Sequence, residues 1–376
     1  MALKTGLVGL PNVGKSTLFN ALTKSSIPAA NYPFCTVDPH VAITYVPDKR
    51  LDALATMFSS AKTLPATVQF VDIAGLVKGA SKGEGLGNQF LSNIMEVDLI
   101  LHVLRCFEDP DITHVHSKID PVEDFEVIST ELMLKDLESV VKRKERLDNF
   151  IKSAKNKNAS TQQIAEWNKE FEFINNVELA LNEQNHKKVL TLASNFKKEE
   201  INTIPLLSGK KFLIIANLCE DDYTGKSYEN NEHYKNLVQA FGQDKVIPVS
   251  AKIESELAQM NDADAQEMLE SLGITEKGLN NIIEKAYKNL DLITFFTCGP
   301  KEAHAWSIQN GTKAPQAAGT IHSDFERGFI CAETYNCKDI FELGSELKLK
   351  EAGKIRTEGK EYVVQDGDVM LFRFNV

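Results

Sequence analysis

The residues with the most recognisable chemistry lie near the N-terminus, where Gly9–Ser16 reads Gly-Leu-Pro-Asn-Val-Gly-Lys-Ser. This G-x-x-x-x-G-K-S spacing is typical of a phosphate-binding loop: backbone N–H groups point at phosphate oxygens, Lys15 adds a positive charge and the Ser16 hydroxyl can ligate magnesium. A helix is predicted from Thr17 to Thr23, so the positive end of its dipole would face the phosphates. The G-x-G-x-x-G spacing of a dinucleotide-binding loop is absent. We expect a nucleoside triphosphate here, bound by Asn12, Val13, Gly14, Lys15, Ser16 and Thr17.

A second group of residues is expected to contact the terminal phosphate and a metal ion. The segment Phe70–Gly75 ends a predicted strand with a D-x-x-G pattern, in which Asp72 can hold magnesium through water and the Gly75 N–H can meet the γ-phosphate. Thr36, in the loop of residues 31–36, is the other expected contact with that phosphate. Both loops would relax after hydrolysis. The predicted ligands of Mg²⁺ are therefore Ser16, Thr36 and Asp72.

The residue after the D-x-x-G pattern departs from that of ordinary nucleotide switches. Many GTPase switches place a water-orienting glutamine there, but this chain has Leu76, which cannot hydrogen-bond water. Residues 75–87 contain five glycines, an excess that disfavours a fixed conformation in the absence of nucleotide. The sequence thus predicts either slow hydrolysis or a different group that positions the attacking water.

The expected base-binding loop is also unusual. Residues 217–220 read Asn-Leu-Cys-Glu, where guanine-specific switches carry N-K-x-D with an aspartate that accepts both the N1–H and the exocyclic amine of guanine. Glu220 is one methylene longer, and Leu218 replaces the lysine whose stem covers the base, so guanine specificity should be weakened. The segment 250–252, Ser-Ala-Lys, matches the loop whose backbone lies behind the base. The predicted base-binding residues are Asn217, Leu218, Glu220, Ser250 and Ala251.

The elements that must position these loops alternate along the chain. Short apolar segments at residues 3–9, 68–74, 99–104, 212–217 and 246–250 recur between helical stretches, which is the pattern of a parallel sheet wrapped by helices. Residues from about 126 to 200 have helical spacing without strand signals and predict two long helices joined by the polar stretch 153–160. After about residue 290, short strands and turns predict a small mixed domain with one helix around Ala317–Arg327 and a hairpin at Asp366-Gly367.

These patterns give an α/β fold with three parts. We predict a nucleotide-binding domain with a parallel-rich sheet over residues 1–125 and 201–290, an inserted antiparallel helical hairpin over 126–200, and a C-terminal α+β domain over 291–374. The C-terminal domain has no recognisable catalytic constellation, so docking is its expected task.

Composition narrows the class of protein. With 376 residues, 43% hydrophobic and 25% charged, the chain has the composition of a soluble globular protein of about two or three domains. It has no run of 18 apolar residues and no charged-then-apolar leader, so we expect a cytoplasmic protein without membrane contact. Six cysteines without a C-x-x-C pair argue against a zinc site and a disulfide framework.

Charge restricts how the chain could contact RNA. A net charge of −11 argues against binding nucleic acid with the whole surface, so such contact would need a local patch. Basic residues concentrate from Lys142 to Lys157, where either a solvated helix face or an RNA-binding tip would account for them. They are Lys142, Arg143, Lys144, Arg146, Lys152, Lys155 and Lys157.

Taken in order, the motifs closely resemble those of the Obg-like ATPase family, also called YchF. They are GLPNVGKS, NYPFCT, DIAGLVKGASKGEGLGNQF, NLCE, SAK and, in the C-terminal part, GTKAPQAAGTIHSDFERGFICAE. The resemblance extends over nearly the entire chain, and the third and last strings are the most specific. It implies that the inserted helices form that family's coiled-coil domain and that the tail is its TGS domain, a small ubiquitin-like fold. It also implies ATP as the substrate, with GTP as a further ligand, and the ribosome, chiefly its large subunit, as the partner.

Two further assignments come from resemblance, one to the same family and one to the wider class of nucleotide switches. His114 matches a histidine proposed in similar proteins to replace the missing glutamine, so we hypothesise that it positions water, alongside Lys15 and Gly75 in the catalytic set. Asn12 resembles the asparagine that marks potassium-stimulated switches, which makes K⁺ a candidate cofactor beside Mg²⁺. His102 and His116 have no partner recognisable in the sequence and are interpreted as structural.

The sequence favours a slow magnesium-dependent ATPase that acts as a nucleotide switch on the ribosome. A GTP-preferring switch stays open as an alternative. A nucleotide-gated ribosome- or RNA-binding protein with incidental hydrolysis also stays open, because Leu76 cannot orient water. A kinase would need an acceptor pocket and an arginine-bearing lid, and neither is recognisable in the sequence.

Overall fold

Two six-stranded sheets organise the chain. The structure is a computed structural model that describes residues 3–25, 40–73, 85–112, 118–153, 159–195 and 204–375, with backbone only for 85–89 and 226. The strands within these residues are β1 (Lys4–Val8), β2 (Val41–Tyr45), β3 (Thr63–Leu64), β4 (Thr67–Asp72), β5 (Leu99–Arg105), β6 (Lys211–Asn217), β7 (Val246–Val249), β8 (Leu292–Cys298), β9 (Ala303–Gln309), β10 (Phe329–Asn336), β11 (Arg356–Glu358) and β12 (Asp368–Phe374).

The helices connect and cover these strands. They are α1 (Lys15–Lys24), α2 (Lys49–Met57), α3 (Gly85–Glu96), α4 (Pro121–Lys152), α5 (Thr161–Asn182), α6 (His186–Ser194), α7 (Glu220–Tyr223), α8 (Glu232–Phe241), α9 (Ala251–Leu257), α10 (Asp262–Ser271), α11 (Gly278–Asn289), α12 (Ala314–Ile321), α13 (Ser323–Arg327), α14 (Cys337–Leu343) and α15 (Glu346–Glu351), with a 3-10 helix at Thr224–Asn230.

The first sheet confirms the predicted α/β architecture. Its strand order is β2-β4-β1-β5-β6-β7, and all neighbours are parallel except the edge pair β2 and β4. All seven residues of β5 are buried, as expected of a central parallel strand covered by helices on both faces. The five strands predicted from sequence are present, whereas the antiparallel edge strand β2 was not predicted. Because β1, β4, β5, β6 and β7 run in one direction, the loops after them share one edge of the sheet.

The inserted segment contains the two long helices predicted from its periodicity. Helix α4 begins after the N-cap Asp120 with proline at its first turn, and α5 begins with a capping box between Ser160 and Gln163. The two helices and α6 enclose their own core, formed by Met133, Val140, Leu147, Ile174, Val177, Ala180, Leu181 and Val189. Most of the predicted connector, residues 154–158, lies outside the described residues.

A buried carboxylate ties this hairpin to the first sheet. Asp136 of α4 accepts hydrogen bonds from the Leu207 and Ser208 N–H groups and the Ser208 hydroxyl, at 2.9, 2.8 and 2.6 Å. Burial raises the pKa of Asp136, and these hydrogen bonds oppose the rise. The chain that leads into β6 is thereby fixed to the middle of α4.

The second sheet is mixed and has the order β11-β10-β12-β8-β9-β3. Two details differ from the sequence predictions. The prediction of a hairpin at Asp366-Gly367 is wrong. Strand β12, which follows this pair, pairs antiparallel with β10, and the segment before the pair forms only an isolated bridge between Val363 and Lys313. The single helix predicted at Ala317–Arg327 is instead two helices, α12 and α13.

The N-terminal part contributes directly to this second sheet. Strand β3 pairs in parallel with β9, and the Ser60 hydroxyl donates to the Gly299 carbonyl at 2.8 Å. Arg50 of α2 donates to Asp48 and to Asp366, at 2.7 and 2.6 Å, so one guanidinium joins the two parts of the chain. One continuous hydrophobic core includes residues from both sheets. Because the two hydrogen bonds link positions 239 and 316 residues apart, no local pattern could have predicted them.

Candidate nucleotide site

The phosphate-binding loop lies where β1 passes into α1. Asn12 and Gly14 have φ of 64° and 91°, left-handed conformations that curl the backbone between the strand and the helix. A Cβ at Gly14 would also lie 2.2 Å from the Asn217 amide nitrogen, so only glycine fits there. Ser16 and Thr17 are exposed in the first turn of α1. The loop therefore curls into a helix N-terminus that carries an exposed hydroxyl, as an anion-binding site requires.

Lys15 and Asp72 meet at this edge of the sheet. Lys15 is the first residue of α1 and only 8% exposed, and its ammonium contacts the Asp72 carboxylate at the end of β4. The parallel register that pairs Leu7 with Asp72 places this carboxylate beside the start of the loop. The structure thus brings together the cation and the carboxylate predicted for the phosphate and metal site, and Ser16 follows Lys15 in the first turn of α1.

The residues present suit magnesium rather than a metal that needs nitrogen or sulfur ligands. Within the described ranges there is no cluster of three or more histidine, cysteine or acidic side chains that could hold a metal by itself. An exposed hydroxyl and one carboxylate, completed by phosphate oxygens and water, are the donors that Mg²⁺ uses.

Asn217 connects the phosphate loop to the base-binding loop. Its side chain, in a residue only 4% exposed, donates to the Val13 carbonyl and accepts from the Ala251 N–H, both at 2.9 Å. The predicted residue is therefore in place, but both ends of its amide are occupied within the protein. Its geometry makes it a brace between two loops that are more than 200 residues apart.

The remaining base-loop residues are also placed together. Leu218 is only 2% exposed and packs in the main core, and its N–H donates to the Val249 carbonyl at 2.8 Å. Its side chain does not occupy the exposed position of a lysine stem that covers a base. Glu220 begins α7 and forms an ion pair with Lys252 at 2.5 Å, while Ser250 is fully buried just before α9.

Arg105 is a site residue that sequence reasoning missed. It ends β5 at 1% exposure and donates to the carbonyls of Phe107, Ile112 and Asp109, at 3.0, 3.0 and 3.2 Å. Its guanidinium also lies 4.7 Å from the centre of the Phe107 ring. One buried cation thereby fixes the loop that follows β5. An arginine at the end of a strand that is apolar apart from His102 was the available signal.

Three predicted site residues lie outside the described residues: Thr36, Gly75 and His114. Most of the glycine-rich stretch does as well, although Gly85 and Gly87 belong to α3. His102 is buried between the rings of Phe125 and Phe212, and burial lowers its pKa to about 3. A neutral, buried ring agrees with its interpretation as structural, and His116 falls among residues not described.

The basic patch predicted for RNA is partly neutralised within the hairpin. Arg143 forms two hydrogen bonds with Glu170, at 2.8 and 2.9 Å, and Lys144 pairs with Glu178 at 2.5 Å. Lys152 pairs with an aspartate one turn earlier. Lys142 and Arg146 are exposed, and Lys155 and Lys157 lie outside the described residues.

Known proteins resemble this chain over its whole length. A family model described as 50S ribosome-binding GTPase matches residues 4–144, and the YchF-GTPase_C model, described as a protein of unknown function, matches residues 292–375. The chain is 48% identical to the ribosome-binding ATPase YchF of Bacillus subtilis, with all of both chains covered. It is 45% identical to Obg-like ATPase 1 of Oryza sativa, covering all of this chain and 92% of the relative.

A solved structure and the helix content complete the comparison. The structure of the Schizosaccharomyces pombe YchF GTPase matches with a TM-score of 0.85 at 37% identity, covering 99% of this chain and 97% of that one. Among the helices described here, none has the length and apolar character needed to span a bilayer. On the identity and coverage of these relatives, the chain belongs to the YchF family of Obg-like ATPases.

Proposed function

We propose that the protein is a slow magnesium-dependent ATPase that acts as a nucleotide switch and binds the ribosome, chiefly its large subunit. The observation that carries the enzymatic part is the contact between Lys15 and Asp72 at the N-terminus of α1, where the next residue, Ser16, is exposed. The ribosomal part is supported by the name of the B. subtilis relative, a ribosome-binding ATPase.

The residues have distinct tasks in hydrolysis. Lys15 and the loop N–H groups stabilise negative charge that develops on the γ-phosphate as water attacks in line. Ser16 and Thr36 would hold magnesium directly and Asp72 would hold it through water, and the metal would supply further charge stabilisation when bound. Lys15, now against Asp72, would turn to the phosphates when nucleotide enters. The Gly75 N–H would contact the γ-phosphate.

The attacking water needs a positioning group other than residue 76, and we propose His114. The proposal is supported by the absence of a hydrogen-bonding side chain at Leu76. Single-turnover hydrolysis by His114→Ala should be slower than that of the wild type with little change in ATP affinity. An unchanged single-turnover rate would reject this role.

K⁺ is proposed as a second cofactor because Asn12 is exposed in the phosphate loop with a left-handed backbone. A monovalent cation there would add positive charge near the transferred phosphate. Hydrolysis should then be faster in potassium chloride than in sodium chloride at equal ionic strength. Equal rates in the two salts would contradict the assignment.

We propose that the chain divides into a nucleotide-binding domain (1–125 and 201–290), a helical hairpin (126–200) and a TGS domain (291–374). The hairpin has its own hydrophobic core, which supports treating residues 126–200 as a unit separate from the nucleotide-binding domain. RNA contact by the hairpin would depend on Lys142 and Arg146, since the neighbouring cations are engaged by carboxylates. Replacing both with glutamate should weaken ribosome association without changing ATP hydrolysis in the absence of ribosomes.

The decisive experiment measures hydrolysis and docking together. Wild-type protein should hydrolyse ATP with Mg²⁺ and co-sediment with ribosomes in a nucleotide-dependent manner, whereas Lys15→Ala should lose hydrolysis and that dependence. If Lys15→Ala still docked like the nucleotide-bound wild type, the alternative of a binding protein with incidental hydrolysis would replace the switch. Tighter binding of GTP than of ATP would instead favour the GTP-preferring alternative.

A further inference from the structure

A hollow lies at the root of the helical hairpin, at the edge of the first sheet opposite the nucleotide loops. Its volume is about 640 Å³, and it is lined by α6, the chain that enters β6, the residue before β7 and the end of α11. Three of these elements each contribute an exposed lysine: Lys187 of α6, Lys211 at the start of β6 and Lys245 just before β7. We call this surface the lysine hollow.

The wall between α6 and β6 is fixed by buried contacts. Asp136 accepts from the Ser208 N–H and hydroxyl, and His186 Nε2 of α6 donates to the Ser208 carbonyl at 3.0 Å. A Cβ at Gly209 would lie 2.7 Å from the Ala193 Cβ, so the backbone passes directly against α6. The hollow is therefore formed by the fold itself and does not depend on side-chain rotamers at the surface.

The three lysines keep their charge uncompensated. None of them forms an ion pair with a carboxylate of the described residues. Lys211 donates to the Asn289 carbonyl at 3.1 Å, and the Lys245 ammonium lies 4.4 Å from the centre of the Phe212 ring. Both contacts are with neutral groups, so they orient the ammonium groups and leave their positive charge available to a ligand.

The acidic residues near these lysines in the sequence are occupied by other cations. Glu183 pairs with Lys188 at 3.1 Å, and Asp244 interacts electrostatically with Lys285. Burial lowers the pKa of His186, and the positive charge of Lys245 lowers it further, so Lys245 faces α6 across the hollow. In a chain with a net charge of −11, the lysine hollow is thus a local positive surface of the kind that a polyanion requires.

The side chains of the hollow suit a chain of phosphates. A lysine ammonium on its flexible stem is a point charge that contacts phosphate oxygens without reading a base. The aromatic residue of the hollow, Phe212, is only 6% exposed and is already contacted by Lys245, so a base has no free ring face on which to stack. Charge complementarity therefore favours a phosphodiester backbone bound without regard to sequence.

We propose that the lysine hollow binds the phosphodiester backbone of ribosomal RNA. The inference rests on the proposed function, in that the protein docks on the ribosome, and it adds a contact surface at the root of the hairpin. Because Lys211 and Lys245 lie at the amino ends of β6 and β7, whereas the nucleotide loops follow the carboxyl ends of the parallel strands, RNA and nucleotide would occupy opposite edges of the sheet.

The test measures the salt dependence of binding. Wild-type protein and a triple variant are titrated against purified ribosomes, and separately against ribosomal RNA freed of protein, over a range of potassium chloride concentrations. Each lost phosphate contact lowers the slope of log K against log salt by about 0.7–0.9, so the triple variant should lower it by about 2–3 and weaken binding at low salt at least about tenfold. The triple variant is Lys187→Gln, Lys211→Gln and Lys245→Gln.

Two further triple variants serve as controls. Arginine at the same three positions keeps the charge and should retain both the affinity and the slope. Glutamine at three scattered exposed lysines removes the same charge without disturbing the hollow and should also behave like the wild type. These lysines are Lys62, Lys235 and Lys360.

The outcomes separate the possible explanations. Affinity and slope equal to those of the wild type would overturn the inference. Weaker binding to ribosomes without any lysine-dependent binding to free ribosomal RNA would assign the hollow to an acidic segment of a ribosomal protein, and would overturn it as well. ATP hydrolysis without ribosomes should match the wild type and so verify folding; if the triple variant fails this check, the three single variants, each expected to lower the slope by about 0.7–0.9, replace it. Failure of the wild type to bind ribosomes would instead overturn the proposed function.

Discussion

The Asn217 side-chain amide joins the phosphate loop to the base-binding loop. We therefore predict that it contributes both to the free energy of unfolding and to nucleotide affinity. Asn217→Ala removes two hydrogen bonds of 2.9 Å and leaves the Val13 carbonyl and the Ala251 N–H without their partner. Both of these residues are at most 3% exposed. A lost buried hydrogen bond costs about 1 kcal/mol and an unsatisfied buried group about 1–3 kcal/mol. Since water can reach the open side of the phosphate loop, we expect a total of about 2–4 kcal/mol.

Urea unfolding of the nucleotide-free protein measures this loss. The matched control is Asn289→Ala, which removes a single hydrogen bond of 2.9 Å to the Lys285 carbonyl at the end of α11 and should cost about 1 kcal/mol or less. In parallel, a fluorescent ATP analogue should bind Asn217→Ala at least about tenfold more weakly, because Val13 and Gly14 are no longer held against the base-binding loop.

The two measurements together decide the role of this residue. A loss of affinity without a loss of stability would mean that Asn217 acts on the base directly and not as a brace. Stability and affinity both equal to those of the wild type would refute the reasoning.

Three further predictions concern groups that the structure places around the site and between the sheets. Arg50→Ala should lower the free energy of unfolding in urea by about 1 kcal/mol or less, because the half-exposed ion pair between Arg50 and Asp366 across the two sheets is lost; no loss would show that the shared core alone holds them together. Burial raises the pKa of Glu254, so its contribution favours folding below the unfolded-state pKa and is lost as pH rises through the folded-state pKa. Glu254→Gln should therefore gain stability relative to the wild type as pH rises above 4.5, measured by urea unfolding across pH; a constant difference would contradict this. Asp72→Asn should raise the Mg²⁺ concentration needed for half-maximal ATP hydrolysis while Lys15 still binds phosphate, and an unchanged Mg²⁺ dependence would remove Asp72 from the metal site.

Local sequence was enough to predict the elements that carry the site. The phosphate loop has fixed spacing and special backbone angles, and its glycines encode those angles within a few residues. Apolar runs such as residues 212–216 indicate buried parallel strands because burial on both faces removes the need for polar alternation. Two predictions failed for different reasons. The edge strand β2 is short and gave too weak a signal. The Asp-Gly pair is a strong turn signal, but tertiary contacts decide its role, because Asp366 accepts from Arg50 and from the Thr294 N–H.

What the sequence by itself determined was therefore the nucleotide-binding class, the strands that position its loops and the presence of the two long inserted helices. Only the tertiary structure decided the partners of three site side chains. Asn217 bonds to Val13 and Ala251, Arg105 bonds to the carbonyls of the loop after β5, and Glu220 pairs with Lys252. The tertiary structure also decided that β3 from the N-terminal part completes the C-terminal sheet. The physical reason is separation along the chain. Periodicity and turn chemistry act over a few residues, whereas these hydrogen bonds and ion pairs form only after folding brings distant segments into contact.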